Sequence, residues 1–225
     1  RGGKLFGDNT DYAGLKYAIA RAGIGLSGKK VLILGSGGTS KTAHAVAEDL
    51  GAREIFVISR SGEHNYQNLS RHADAQVIIN TTPVGMFPHN GQAPLSLAQF
   101  PELGGVVDVV YNPLKTALLL EAEALGIPHT NGLPMLVAQA KAACEVFLQK
   151  NIPDARTEQI LGNLERQLRS VVFVGMPGSG KTTMGRLLAQ KLHREFIDSD
   201  DVIAQNAGKS VPEIFAEEGE SGFRR

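Results

Sequence analysis

Apolar positions along the first 150 residues fall into two alternating patterns. Within 9–23, Leu15, Ile19 and Ala22 recur at helical spacing, and Thr10 or Asp11 stands where an N-cap is wanted. Val31 to Leu34 is instead a short continuous apolar run, the mark of a strand buried on both faces of a parallel sheet. Glycines follow, then a helical pattern from Ser40 to Leu50 with Gly51 as its C-cap. "EIFVIS" (54–59), "AQVIINTTP" (75–83) and "GVVDVVYN" (105–112) supply a second, third and fourth strand. "TALLLEAEALG" (116–126) and "GLPMLVAQAKAACEVFLQK" (132–150) read as helices. Strands alternating with helices predict βαβ units, so an α/β fold with a Rossmann-type parallel sheet. Residues 153–169 are amphipathic, with Ile160, Leu164 and Leu168 on one face. A domain boundary is expected just after them, near Ser170, dividing 1–169 from 170–225. "VVFVGMPGSGKTTMGRLLAQKL" (171–192) then reads as strand, glycine-rich loop and helix, the start of a second α/β domain.

Composition adds little to this picture. The 225 residues are 42% hydrophobic and include 26 glycines, as in a soluble α/β protein. Formal net charge is zero, which points to neither nucleic acid nor membrane as a partner. There is no apolar run of about 18 residues to span a bilayer, and no signal-peptide pattern is visible in the given residues. The single cysteine, Cys144, excludes an intrachain disulfide and fits a reducing cytoplasm. Its helix is apolar, so it reads as a small buried hydrophobe. The six histidines lack metal-ligand spacing, and no zinc site is expected.

Two glycine-rich loops carry the chemistry. In "GSGGTSKT" (35–42), Gly35 permits a tight turn and Gly37 lets the backbone approach a pyrophosphate. Ser36, Gly38 and Thr39 complete the loop, and the helix start presents free N–H groups and a positive dipole end to the anion. Ser40 stands where a third glycine would complete the dinucleotide fingerprint. Lys41 either meets a phosphate or is free in solvent. An acidic residue after the second strand would bind the ribose 2′-OH of NAD. This strand ends in Ser59, Arg60 and Ser61, with no acid before Glu63. Arg60 suits a 2′-phosphate by charge-assisted hydrogen bonding, which favours NADP over NAD.

The second loop, "GMPGSGKT" (175–182), satisfies the full phosphate-loop pattern between a strand and a helix. The backbone of Gly178, Ser179 and Gly180 forms an anion nest. Lys181 reaches the β- and γ-phosphates of ATP, Thr182 ligates Mg²⁺ and Thr183 follows in the loop. Further on, Asp198 and Asp200 form a D-x-D pair, placed on one side of an extended strand end.

"GDNTDYAG" (7–14), "GSGGTSKT", "INTTPVGM" (79–86), "DVVYNPLKTALL" (108–119) and "NGLPMLVAQA" (131–140) together resemble shikimate dehydrogenases. That resemblance implies NADPH-dependent reduction of 3-dehydroshikimate to shikimate. It gives Asp11 the catalytic aspartate's place and puts Asn80 and Thr81 in the loop beside the nucleotide. Val109 and Tyr111 take positions at nicotinamide and substrate, Gly132 lies near the nicotinamide, and Gln139 bonds shikimate. Pro134 replaces a second glycine, which stiffens that loop. The family's catalytic lysine belongs to a substrate domain with no counterpart motif here.

Residues 196–225 resemble shikimate kinases. There Asp198 lies near Mg²⁺, Asp200 bonds the shikimate hydroxyls and helps activate the attacking oxygen, and Arg224 holds the carboxylate. The later strands, a glycine pair and an arginine-bearing lid have no counterpart. The expectation is an internal piece of a bifunctional enzyme of aromatic amino acid (chorismate) biosynthesis. It would take small-molecule substrates and reside in the cytoplasm, with its oligomeric state open. Two other readings stand beside it: a non-catalytic nucleotide-binding scaffold, and an NAD-dependent quinate/shikimate dehydrogenase.

Overall fold

Five strands form one all-parallel sheet: β1 (Lys30–Leu34), β2 (Glu54–Ile58), β3 (Val77–Asn80), β4 (Val106–Asp108) and β5 (His129–Thr130). Their spatial order is β2-β1-β3-β4-β5. The computed structural model describes residues 7–176 and 178–223. It divides into two units, Arg1–Arg169 and Ser170–Arg225, and the sheet belongs to the first. Every residue of β1, β3 and β4 is buried, which explains their unbroken apolar runs.

Alternate residues sort to the two faces. Val31, Ile33, Val77, Ile79 and Val107 pack under α1 (Thr10–Arg21), α2 (Gly38–Asp49) and the start of α4 (Leu133–Leu148). Leu32, Leu34, Ile58, Ile78 and Val106 pack under α3 (Ala117–Ala124) and the short turns near Leu69 and Leu97. A satellite core joins Leu133 and Val137 of α4 to Leu161 of α5 (Asp154–Leu168).

Strand register sets the functional edge. Leu34 is level with Ile58 on one side and Asn80 on the other, and Asn80 is level with Asp108. The residues that follow, Gly35, Ser59, Thr81 and Val109, therefore emerge along one rim. The strand order reverses between β1 and β3, and in open α/β sheets ligands bind outside the carboxyl ends at such a reversal.

Several local expectations are corrected. Asn9 caps α1, its side chain accepting from the Asp11 N–H at 3.1 Å. The carbonyl-bearing side chain of Asn is as good a cap as Asp, and Asn9 stands just before the first helical residue, Thr10. Helix α2 begins at Gly38, not Ser40. Strand β5 is only two residues long, too short for a periodic signal. The buried line of α5 runs through Thr157 and Leu161, while Ile160 and Leu168 are exposed. Pro134 lies in the first turn of α4, where its missing N–H is not needed, so it stiffens no loop. Cys144 is exposed, because only the first part of α4 is buried.

The second unit contains α6 (Lys181–Leu192), α7 (Ser199–Ala207) and α8 (Val211–Phe223). The strand expected ahead of the glycine-rich loop, at 171–174, is absent, and Val172 and Val174 are 78% and 92% exposed. A strand requires a neighbouring ladder to satisfy its N–H and C=O groups, and the described residues of this unit form none. The D-x-D stretch is likewise not a strand end: Asp198 is the N-cap of α7 and Asp200 lies in its first turn. No helix among the described residues is long and apolar enough to cross a membrane.

Candidate functional site

At the rim of the first unit, Gly35 turns the chain sharply after β1. Its φ is +101°, and a Cβ there would meet Thr81 Oγ1 and Thr82 Cγ2 at 3.0 Å. Gly35 N–H bonds the Ile58 carbonyl at 2.8 Å, so the turn is anchored to β2. Thr81 fixes the other side, its hydroxyl and N–H both donating to the Leu34 carbonyl. Gly37 is the N-cap of α2 and brings no side-chain cap bond, and the first turn has no acid. Ser36, Gly37 and Gly38 are exposed and Thr39 is half-buried. The free N–H groups of this helix start therefore face open space, an arrangement suited to an anion by charge and by geometry. Lys41 is exposed beside it.

The segment after β2 is braced by hydrogen bonds. Ser59 N–H bonds the His64 carbonyl at 3.1 Å, Asn65 Nδ2 bonds the Gly62 carbonyl at 3.0 Å and Asn68 Nδ2 bonds the Glu63 carbonyl at 2.8 Å. These bonds close a compact turn over Arg60 and Ser61, both exposed, with Ser59 half-buried at its base. Arg60 makes no ion pair among the described residues. A guanidinium held by a braced turn with no carboxylate beside it is suited to an incoming phosphate.

Beyond β3 and β4 the site turns polar. Asn80 is fully buried, accepting from the Thr82 N–H and hydroxyl and donating to Asp108 Oδ1 at 3.0 Å. Val109 N–H bonds the Asn80 carbonyl, and Gly132 N–H bonds the Val110 carbonyl, each at 3.0 Å. Gly132 packs so closely that a Cβ would lie 1.9 Å from the Val109 oxygen. Tyr111 is 43% exposed.

Asp11 and Gln139 come from α1 and α4. Gly14 lets these helices touch, since a Cβ there would meet the Met135 carbonyl at 2.6 Å and Gln139 Cβ at 3.0 Å. Asp11 sits one turn before Gly14 on the same face, half-buried, with no side-chain partner among the described residues. Asn9 adds a link toward α2 through Thr42 Oγ1 at 3.4 Å. The structure thus places Asp11 and Gln139 on one helix pair, and Gly35, Asn80, Thr81, Val109 and Gly132 along one rim.

Sequence reading gave no role to Asp108, Gly14 or the Asn65–Asn68 pair. For Asp108 a signal existed: an acid inside the apolar run "VVDVV" is costly unless several donors meet it.

In the second unit, Gly178 and Gly180 adopt φ of +76° and +81° around the phosphate loop. Lys181 opens α6, and its ammonium donates to the carbonyls of Gly175 and Met176, both at 2.8 Å. Ser179 N–H bonds the Met176 carbonyl. Thr182 and Thr183 are exposed in the first turn of α6. Thr182 Oγ1 donates to Asp198 Oδ2 at 3.1 Å, and Asp198 Oδ1 accepts from the Asp200 N–H at 3.2 Å. Two sequence-distant oxygen donors are thereby joined, with Asp200 beside them. Gly185 makes this possible: a Cβ there would overlap the Phe196 ring at 2.4 Å. A cleft of ≈ 430 Å³ is lined by Lys181, Thr182, Phe196 and Asp198. Arg224 lies outside the described residues.

Known proteins resemble both units. A shikimate dehydrogenase (NADP(+)) of Caldicellulosiruptor bescii is 39% identical over 158 residues, covering 61% of this chain and 54% of the relative. The shikimate dehydrogenase (NADP(+)) of Caldicellulosiruptor saccharolyticus is 33% identical over 188 residues, covering 74% of this chain and 67% of the relative. The structure of a Thermus thermophilus shikimate 5-dehydrogenase in complex with NADP(H) and shikimate matches with a TM-score of 0.63 at 31% identity. That match covers 72% of this chain and 65% of the other. The shikimate kinase family profile matches residues 177–225. The chain spans about half to two thirds of the length of these curated relatives.

Proposed function

This chain belongs to the shikimate dehydrogenase family, and from that premise we propose that its first unit binds NADP(H) for reduction of 3-dehydroshikimate to shikimate. The observation that carries the reading is the rim itself. It joins an uncapped glycine-rich helix start, suited to a pyrophosphate, to an exposed arginine on a braced turn one strand away. Gly35, Ser36, Gly37, Gly38 and Thr39 would cradle the pyrophosphate, while Ser59, Arg60 and Ser61 would take the 2′-phosphate. Asn80, Thr81, Val109 and Gly132 would border the nicotinamide half. The cofactor supplies the hydride that adds to the substrate carbonyl carbon. The chain's part is to orient the two reactants and manage the proton that the resulting alkoxide needs. Asp11 would handle that proton, and Tyr111 and Gln139 would hold the substrate.

For the second unit the reading is ATP-dependent phosphorylation of the shikimate 3-hydroxyl. Lys181 and the N–H groups of Gly178 to Thr183 would hold the phosphates. Thr182 and Asp198 are hard oxygen donors already in contact, as Mg²⁺ prefers, and a bound Mg²⁺ would neutralise phosphate charge. Asp200 and Arg224 would receive shikimate. The product of the first reaction is then the substrate of the second. The reading makes both activities those of a cytoplasmic enzyme with small-molecule partners.

Calorimetric titration of the whole chain with NADP⁺ and with NAD⁺ tests the first part. NADP⁺ should bind more tightly. Arg60→Ala should weaken NADP⁺ by roughly 10- to 100-fold, the range of hydrogen bonds to charged groups, with little change for NAD⁺. Tighter NAD⁺ binding would overturn the assignment of Arg60 and favour an NAD-dependent enzyme. Absence of binding by either would remove the dinucleotide reading.

A further inference from the structure

Asp108 is a fully buried carboxylate that the proposed chemistry does not use. Its Oδ1 accepts from Asn80 Nδ2 at 3.0 Å and from the Val110 N–H at 3.1 Å. Its Oδ2 accepts from the Thr116 hydroxyl at 2.7 Å. It has no cationic partner among the described residues. Burial pushes its pKa up, opposed by these three donors. Such a group is costly to bury, and a core position in β4 could be filled by an aliphatic residue.

What the carboxylate joins gives it a purpose. Asn80 and Thr82 belong to the loop after β3. Val109 and Val110 belong to the loop after β4. Thr116 caps α3, its side chain accepting from the Leu119 N–H. Gly132 joins the set through the Val110 carbonyl. Every one of these segments lies on the β3–β4 side of the strand reversal, and the two loops and Gly132 carry the residues assigned to the nicotinamide half. The adenosine half, by contrast, rests on the glycine-rich turn and Arg60 over β1 and β2. No hydrogen bond of Asp108 reaches that side.

We propose that Asp108 is a positioning residue, which fixes the spacing between the Asn80–Thr82 and Val109–Tyr111 loops to admit the nicotinamide end of the dinucleotide. This rests on the NADP reading above and adds a prediction that reading does not make. The cofactor's two halves respond differently to loss of one buried group.

The test compares 2′,5′-ADP, which carries only the adenosine end, with NADP⁺, titrated into the whole chain. Wild type should bind both. Asp108→Ala should weaken NADP⁺ at least tenfold and leave 2′,5′-ADP within about twofold. Asp108→Asn, whose amide oxygen can keep the Val110 and Asn80 bonds, should recover NADP⁺ to within about threefold of wild type. Should Asp108→Ala fail to fold, Thr116→Val removes one donor from the far side. It should weaken NADP⁺ threefold to tenfold with 2′,5′-ADP unchanged. Equal losses for both ligands would show a merely structural role, and unchanged NADP⁺ binding in the variants would also overturn the proposal. Wild type that binds neither ligand would instead defeat the NADP reading, and this inference with it.

Discussion

Gly132 is held in place by contact rather than by backbone freedom. An alanine methyl would sit 1.9 Å from the Val109 oxygen, so the β4 loop or the start of α4 must move. Overpacking of this kind costs about 1–3 kcal/mol. Gly132→Ala should therefore lower the denaturation midpoint and weaken NADP⁺ binding together, as read by urea unfolding and calorimetry. His72 makes a different residue-scale prediction. Its ring packs on Phe56 and its Nε2 lies 3.0 Å from His64 Nδ1. Burial, then Lys30, holds its pKa below the ordinary imidazole value, so the native state resists protonating it. The unfolded chain binds that proton near pH 6.5. Stability from this site is thus present above about pH 6.5 and is lost as pH falls toward the lower folded value. The stability gap between wild type and His72→Leu should narrow from pH 7 to pH 5, and a constant gap across urea melts would refute the argument. Residue-scale roles were legible where the chemistry is local. Gly35 and Arg60 follow strand ends that can be read from the chain. The partners of Asp108 and Gly14 were not legible, since they stand on other strands or helices, whereas the Asn65–Asn68 bonds are local and were missed for want of a recognised turn pattern.

Among the elements, α5 shows how a stripe misleads. Of Ile160, Leu164 and Leu168, which share a helical face, only Leu164 packs with the α4 core, and the fully buried residue there is Leu161. The position of the partner decides which face is buried, and Tyr17 and Arg21 of α1 pull the helix around by bonding Glu158. Burial, then the hydrogen bond to Glu158, pushes the Tyr17 phenol's pKa up to about 12. Leu161→Ala should cost about 2–5 kcal/mol, whereas Ile160→Ala on the exposed side should cost far less. Paired urea melts would separate them, and equal losses would restore the face read from the chain. The phosphate loop and α6 were legible because glycines, lysine and threonine at fixed spacing have few other uses. The flanking strand was not formed, because a strand depends on neighbours that no local pattern supplies. Lys181→Ala removes the ammonium now bonded to the Gly175 and Met176 carbonyls. It should reduce Mg·ATP affinity at least tenfold in a fluorescent-nucleotide titration, as expected for a charged phosphate contact.

At the scale of the whole molecule, the sheet of the first unit was legible from alternating runs. Its fifth strand was too short to see, and the buried side of α5, unlike that of α1 with its Leu15 and Ile19, had to come from the structure. Two units with separate phosphate-binding loops should also answer separately to ligands. A ligand that binds only the native form stabilises it by about 2.7 kcal/mol at a hundredfold excess over its dissociation constant. For a unit of this size, each kcal/mol raises the midpoint by about 2–4 °C. Scanning calorimetry of the whole chain with NADP⁺ at that excess should therefore raise one transition by about 5–10 °C, and Arg60→Ala should cut the shift to about 1–6 °C at the same concentration. Mg·ATP should leave that transition where it is and raise another, which Lys181→Ala should prevent. If either ligand instead moved every transition equally, the chain would unfold as one cooperative body, and the division at Ser170 would have no thermodynamic meaning. If NADP⁺ moved none while ATP moved one, the glycine-rich turn after β1 would be a structural βα turn, and Arg60 an ordinary surface charge.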